Sequence, residues 1–208
     1  DEFRGDCVIN SEPSTPSMVR FGEKGTLRLV FEIDTPGAHG AYTHASKNAI
    51  KIASDLIQDL YGLEDFPVSQ PDDIKKAISA SVPAIDKALG KGGGAILNRV
   101  TVSAGVIAGG VKINMLPGHC RLEVDIRLPV CVTHKAIMTE VEAIVARCPE
   151  VKLKPVWTHS AEPSVSDPGH RMMQILQSNA NSLSGIEPVA SVNGMPAAAA
   201  ARASSISP

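Results

Sequence analysis

The sequence predicts an α+β fold in which two helices cover one face of a four-stranded antiparallel sheet, and three patterns predict it. Residues 25–33 and 121–128 alternate apolar and polar side chains with a period of two. Ala49, Ile50, Ala53, Leu56, Ile57 and Leu60 recur at helical spacing. Further strand-like and helix-like runs follow in the order strand, helix, strand, strand, helix, strand, which is the split βαββαβ order called ferredoxin-like.

In the first strand, Leu27, Leu29, Phe31 and Ile33 share a face. A Pro36-Gly37 turn follows, and the first helix ends near Gly62. Residues 65–94 read as a helical insertion. It starts at Gln70-Pro71-Asp72-Asp73, carries Ile74, Ile78, Val82, Ile85 and Leu89, and Pro83 within it implies a kink or two short helices. After Lys91-Gly92-Gly93-Gly94, alternation returns from Arg99 to Ile107. From Arg121 to Leu128 one face is apolar (Leu122, Val124, Ile126, Leu128) and the other charged (Arg121, Glu123, Asp125, Arg127), as in a sheet with one face covered. Thr133 is placed to cap a helix bearing Ile137, Val141, Ile144 and Val145, and Val151, Leu153 and Trp157 suggest the last strand. Beyond Ser160 a helix around 170–182 and a strand near 189–192 look like part of another domain.

Composition narrows the function classes. With 208 residues, 43% hydrophobic, the chain can bury a core. Its 20 basic and 22 acidic residues are mixed along the chain, so no basic patch argues for nucleic acid or a membrane surface, and the expected partners are small molecules or protein. No apolar run approaches the roughly 20 residues of a membrane span. Cys7, Cys120, Cys131 and Cys148 lack the close spacing of zinc or redox motifs, and reduced thiols in a cytoplasmic protein are expected. The chain opens without Met on an apolar run, Cys7-Val8-Ile9, and closes on an alanine-rich tail. Either a longer protein extending past both ends is therefore expected, or a tail in which alanines stand in for other side chains.

Several local patterns, in order, resemble the zinc-dependent amidohydrolases and exopeptidases that include acetylornithine deacetylase, succinyl-diaminopimelate desuccinylase, carboxypeptidase G and aminoacylase. They are Ser11-Glu12-Pro13-Ser14; Gly37-Ala38-His39 followed by Asn48-Ala49-Ile50; Gly109-Gly110 with Asn114-Met115-Leu116-Pro117; and Asp125-Ile126-Arg127. The resemblance implies a catalytic α/β domain holding two divalent metal ions, zinc first among them, interrupted by a smaller lid that forms a homodimer. Residues 1–20 would end the first catalytic segment and form the hinge, 21–160 would be the lid and dimerisation domain, and 161–208 would begin the returning catalytic segment. The expected activity is hydrolysis of an amide or related C–N bond in a small carboxylate-bearing substrate. A non-catalytic dimerisation module, or a ferredoxin-like domain binding a small molecule, is the alternative.

By the same resemblance Glu12 would be a metal ligand, a carboxylate suited to such a cation. The other ligands and the general base would lie outside the chain. His39 would reach across the dimer to stabilise the tetrahedral oxyanion, a role worth about 2.7–4 kcal/mol for comparable donors. Its ordinary reading is a loop histidine, and His44 competes for the part. Asn114 and Arg127 would contact substrate, the guanidinium fork matching a carboxylate. A turn former and a cross-strand ion pair are their respective ordinary readings. His119, His134, His159 and His170 show no ligand spacing and read as structural or exposed.

Overall fold

A computed structural model describes residues 17–194 together with Ile9 and Thr15. Along it run β1 (Met18–Glu23), β2 (Gly25–Asp34), β3 (Ala38–His39), α1 (Ala49–Tyr61), α2 (Asp72–Leu89), β4 (Thr101–Gly109), β5 (Met115–Leu116), β6 (His119–Leu128), α3 (His134–Val145), β7 (Val151–Pro155), β8 (Ser164–Val165), α4 (Arg171–Ser184) and β9 (Val189–Asn193). The family-like segment at Cys7-Val8 and Glu12-Pro13, and the tail beyond Gly194, lie outside the described residues.

The main sheet has the order β4-β6-β2-β7, with every neighbouring pair antiparallel. The alternation of β2 and β6 sends Leu27, Leu29, Phe31, Ile33, Leu122 and Ile126 to one face, where all are essentially sealed from water. Two helices close that face. In α1, Ala49, Ala53, Leu56 and Leu60 form the buried stripe, and Asn48 accepts the Lys51 N–H at its start. In α3, Ile137 and Val141 point inward and the Thr133 side chain accepts from the Ala136 N–H. Burial of side chains such as Leu56 and Leu60 contributes about 1.5–3 kcal/mol each.

A second apolar cluster stands apart, around a three-stranded sheet of order β8-β1-β9. It gathers Met18 and Phe21 from β1, Val192 from β9, Met173 from α4, and Ile74, Ile78 and Ile85 from α2. The segment expected to kink at Pro83 is one continuous helix, and its apolar face packs on this second sheet. Trp157 is not in the last strand. β7 ends at Pro155, and Trp157 lies in a short 3₁₀ turn, more than half exposed.

The chain passes between the two sheets within a single residue, Lys24, and returns alongside. Thr26 and Ala161 exchange backbone hydrogen bonds of 2.8 and 2.9 Å, and β8 then pairs with β1. The approach is so close that a Cβ on Gly25 would lie 2.7 Å from the Pro163 nitrogen. His134 adds a side-chain tie, its Nε2 lying 2.8 Å from the Thr26 carbonyl, while the Glu162 carboxylate accepts the His134 backbone N–H.

Lys24 is 1% exposed, the one fully buried charged side chain among the described residues. Its Nζ donates to the carbonyls of Ile96 and Arg99 at 2.7 and 2.8 Å and lies 3.5 Å from the Thr101 hydroxyl. A neutral amine satisfies this set as well as an ammonium does, with two N–H donors and a lone pair facing a hydroxyl. Burial, with the nearby cations of Arg127 and Arg99, lowers its pKa from 10.5 to about 7. Below pH 7 both folded and unfolded chains carry the proton, and the folded state bears the full cost of burying the charge. As pH rises from about 7 towards 10.5 the unfolded chain binds more protons than the folded one, so stability increases over that window. Urea unfolding of wild type and Lys24→Met will show the wild type gaining on the variant between these pH values. A difference that stays flat contradicts the assignment.

Candidate functional site

His39 stands where the first crossing of the sheet turns into α1. Gly37, at φ 68°, makes the turn after Pro36, and its N–H is held by the Ser46 hydroxyl. β3 then pairs with β5, His39 opposite Met115, and the Gly40 N–H donates to the Asn114 carbonyl at 2.7 Å. His39 and Asn114, 75 positions apart in sequence, thus become neighbours. A surface cavity of about 290 Å³ opens here, lined by Gly37, His39, Val111, Met115 and Leu116 among others.

The His39 side chain is exposed, and its Nδ1 accepts the Ala41 backbone N–H at 3.2 Å. A backbone donor on Nδ1 places the ring proton of the neutral imidazole on Nε2, leaving an N–H free to donate outward. Tyr42 lies between the two candidate histidines, tilted against His39 at 5.9 Å and edge-on to His44 at 6.2 Å by ring centroids.

Arg127 is not part of this cluster. It lies at the far end of β6, opposite Thr26 on β2 and Thr101 on β4. From His119, beside the His39 end, to Arg127 the strand runs roughly 27 Å at 3.4 Å per residue. The guanidinium pairs with Asp125, two residues back on its own strand, with Nε 2.9 Å and Nη2 2.8 Å from one carboxylate oxygen. The pair lies within one strand, where the ordinary reading of this residue is a pair across strands.

Between the two ends the uncovered sheet face carries an ion lattice. Arg121 bridges Glu32 and Glu123 at 2.6 and 2.9 Å, and His119 lies 2.9 Å from Asp34. That hydrogen bond, aided by Lys152, holds the Asp34 carboxyl below its ordinary range. His119 and His134 are thus bound into structure, and His170 accepts the Met172 N–H at the start of α4. Among the described residues no group of three or more His, Cys, Asp or Glu side chains is placed to hold a metal ion. Glu12, the expected ligand, lies outside them.

β4 is an edge strand of the main sheet, and the surface on and beyond it is apolar: Val106, Ile107, Val111, Ile113 and Met115 are all exposed. An open strand edge with such a surface has the make-up of a pairing domain. A family model described as the peptidase dimerisation domain of the M20 peptidases matches residues 21–149, and the chain belongs to that family. Among curated proteins it is similar to a probable carboxypeptidase of Aspergillus fumigatus, 29% identical over 136 residues, covering 61% of this chain and 27% of that one. Among solved structures it is similar to an M20 family metallo-carboxypeptidase from Sulfolobus solfataricus (TM-score 0.67, 15% identity, 84% of this chain and 46% of that one). A di-peptidase from Saccharomyces cerevisiae gives a TM-score of 0.65 at 14% identity, over 88% of this chain and 46% of the other. The chain thus spans about a quarter of the length of the curated relative and less than half of the solved ones. Among the described residues no helix is long and apolar enough to cross a membrane.

The tautomer of His39 is directly measurable. Long-range ¹H–¹⁵N correlation at neutral pH will show its proton on Nε2, and a proton on Nδ1 contradicts the hydrogen bond to Ala41.

Proposed function

We propose that this chain is the lid and dimerisation part of a hydrolase that cleaves an amide or related C–N bond in a small carboxylate-bearing substrate. Its working form in this reading is a homodimer. The observation that carries it is the separation of the two polar groups suited to such a substrate. His39, with an outward N–H and Asn114 beside it, lies in the small β3–β5 sheet next to the His119 end of the main sheet, and Arg127, with its guanidinium, lies at the main sheet's other end. One protomer does not bring them to a single small molecule. Two protomers paired through the β4 edge do, if His39 and Asn114 of one face the Arg127 end of the other. The open edge and its exposed Val106, Ile107 and Val111 support pairing there.

In this reading Arg127 holds the substrate carboxylate and orients the scissile bond. As water adds to the carbonyl carbon, negative charge gathers on oxygen, and the Nε2–H of the opposite His39 donates to it. Asn114 adds a polar contact beside His39. The reading calls for divalent metal ions, zinc the expected one, to activate the water, and their ligands would be side chains other than those described.

The strand order β4-β6-β2-β7 supports classing the main sheet with its two helices as a ferredoxin-like lid. We take residues 21–160 as that domain, with 1–20 and 161–208 belonging to a catalytic domain. The second apolar cluster, which gathers β1, β9 and α4 apart from the main sheet, supports such a division, with α2 of the 21–160 segment packed across onto it. Free thiols at Cys120, Cys131 and Cys148 support a reducing, cytoplasmic setting.

Complementation tests the arrangement. Full-length His39→Ala and Arg127→Ala proteins, each assayed on a panel of N-acetyl-L-amino acids, are expected to lose nearly all turnover. Co-expressed, they form mixed dimers in which one of two sites keeps both groups, and activity returns to about a quarter of wild type for random pairing. No recovery in isolated mixed dimers overturns the shared site, and an inactive wild type over the whole panel overturns the hydrolase reading for these substrates.

A further inference from the structure

Asp125 stands between two guanidinium groups on the uncovered face of the sheet. Its Oδ2 takes both Nε and Nη2 of Arg127, at 2.9 and 2.8 Å. Its Oδ1 is buried, makes no hydrogen bond, and faces the Nε of Arg28 at 3.9 Å across the β2–β6 pairing. The Asp125 and Arg127 side chains are only partly exposed, at 32% and 25%. Arg99 places further positive charge close by, since the charges of Arg127 and Arg99 both lower the pKa of Lys24, and Glu64 pairs with Arg99 at 3.5 Å. Asp125 is the anion in direct contact with Arg127.

A guanidinium offers a carboxylate two forks, the side formed by Nε and Nη2 and the end formed by Nη1 and Nη2. Asp125 occupies the side fork of Arg127, so the end fork remains for a ligand. We propose that Asp125 is a positioning residue that reserves the end fork of Arg127 for the substrate carboxylate and fixes its direction of approach. The proposal rests on Arg127 being the carboxylate anchor. Removing the Asp125 charge frees the side fork, adds a second mode of pairing, and leaves Arg127 without its counter-ion. The substrate is then held less often in the reactive orientation, which shows first in its binding.

The test uses the full-length protein with the N-acetyl-L-amino acid it turns over fastest and the same compound with its carboxylate converted to a carboxamide. For the isosteric Asp125→Asn variant, KM for the carboxylate substrate is expected to rise about tenfold while kcat falls much less. The preference for carboxylate over carboxamide should narrow by a similar factor, and Asp125→Glu should restore part of it. In ¹H–¹⁵N spectra the Arg127 Nε–H, assigned by its loss in Arg127→Lys, should exchange faster with solvent in Asp125→Asn. Equal losses on both substrates, or an unchanged carboxylate preference in a folded variant, make Asp125 a structural ion-pair partner and overturn the proposal. If Arg127→Ala keeps the carboxylate preference of an active enzyme, the anchor itself is misassigned. That failure is distinguishable from a failure at Asp125 alone.

Discussion

The antiparallel ladder between β2 and β6 is the constraint on which the rest of the molecule depends. It runs unbroken from Gly25 opposite Leu128 to Asp34 opposite His119, and its register decides what every side chain on both strands can do. A slip of one residue would turn Leu27, Phe31, Leu122 and Ile126 towards water and bury Arg121, Asp125 and Arg127. The same ladder sets distances along the sheet. It fixes the His39 end and the Arg127 end a full strand length apart, so neither local flexibility nor a change of rotamer brings them together.

The crossing between the two sheets is the second consequence of that ladder. A single residue, Lys24, separates β1 from β2, so the first strand of the main sheet is also the connection to the second sheet. The backbone pair Thr26–Ala161 and the tight fit of Gly25 against Pro163 close this passage. Lys24 then uses its buried amine to tie the passage to the carbonyls between α2 and β4. Because α2 rests on the second sheet, the main sheet is tied to it through a packed helix as well as through two strands. Their mutual orientation is therefore set by burial and hydrogen bonding together.

Much of this was legible in the sequence where a short-range rule sufficed. The alternation of 121–128 announced a sheet with one charged face, and Asn48 and Thr133 mark where α1 and α3 begin because capping is a local event. His39, Asn114 and Arg127 entered as candidates through the family resemblance, and the roles given to them are proposals. What stayed hidden depends on contacts distant in sequence. The stripe Ile74, Ile78, Ile85 announced an apolar face on α2, but periodicity does not say which sheet it meets. A lone lysine before a glycine reads as solvated, and only the fold around Lys24 removes the water. The hydrogen bond that sets the His39 tautomer, and the side-fork pairing of Arg127, follow from turn and strand geometry that composition does not encode. Pro83 misled because a proline inside an otherwise strong helical pattern can be carried by the tertiary packing of its neighbours.

That two protomers build one site is the central claim, and the crystal structure of the full-length dimer tests it most directly. The account predicts that the protomers join along β4 and that His39 of one lies nearer to the partner's Arg127 than to its own. A dimer that leaves the β4 edge exposed, or in which each His39 remains remote from both arginines, would contradict it.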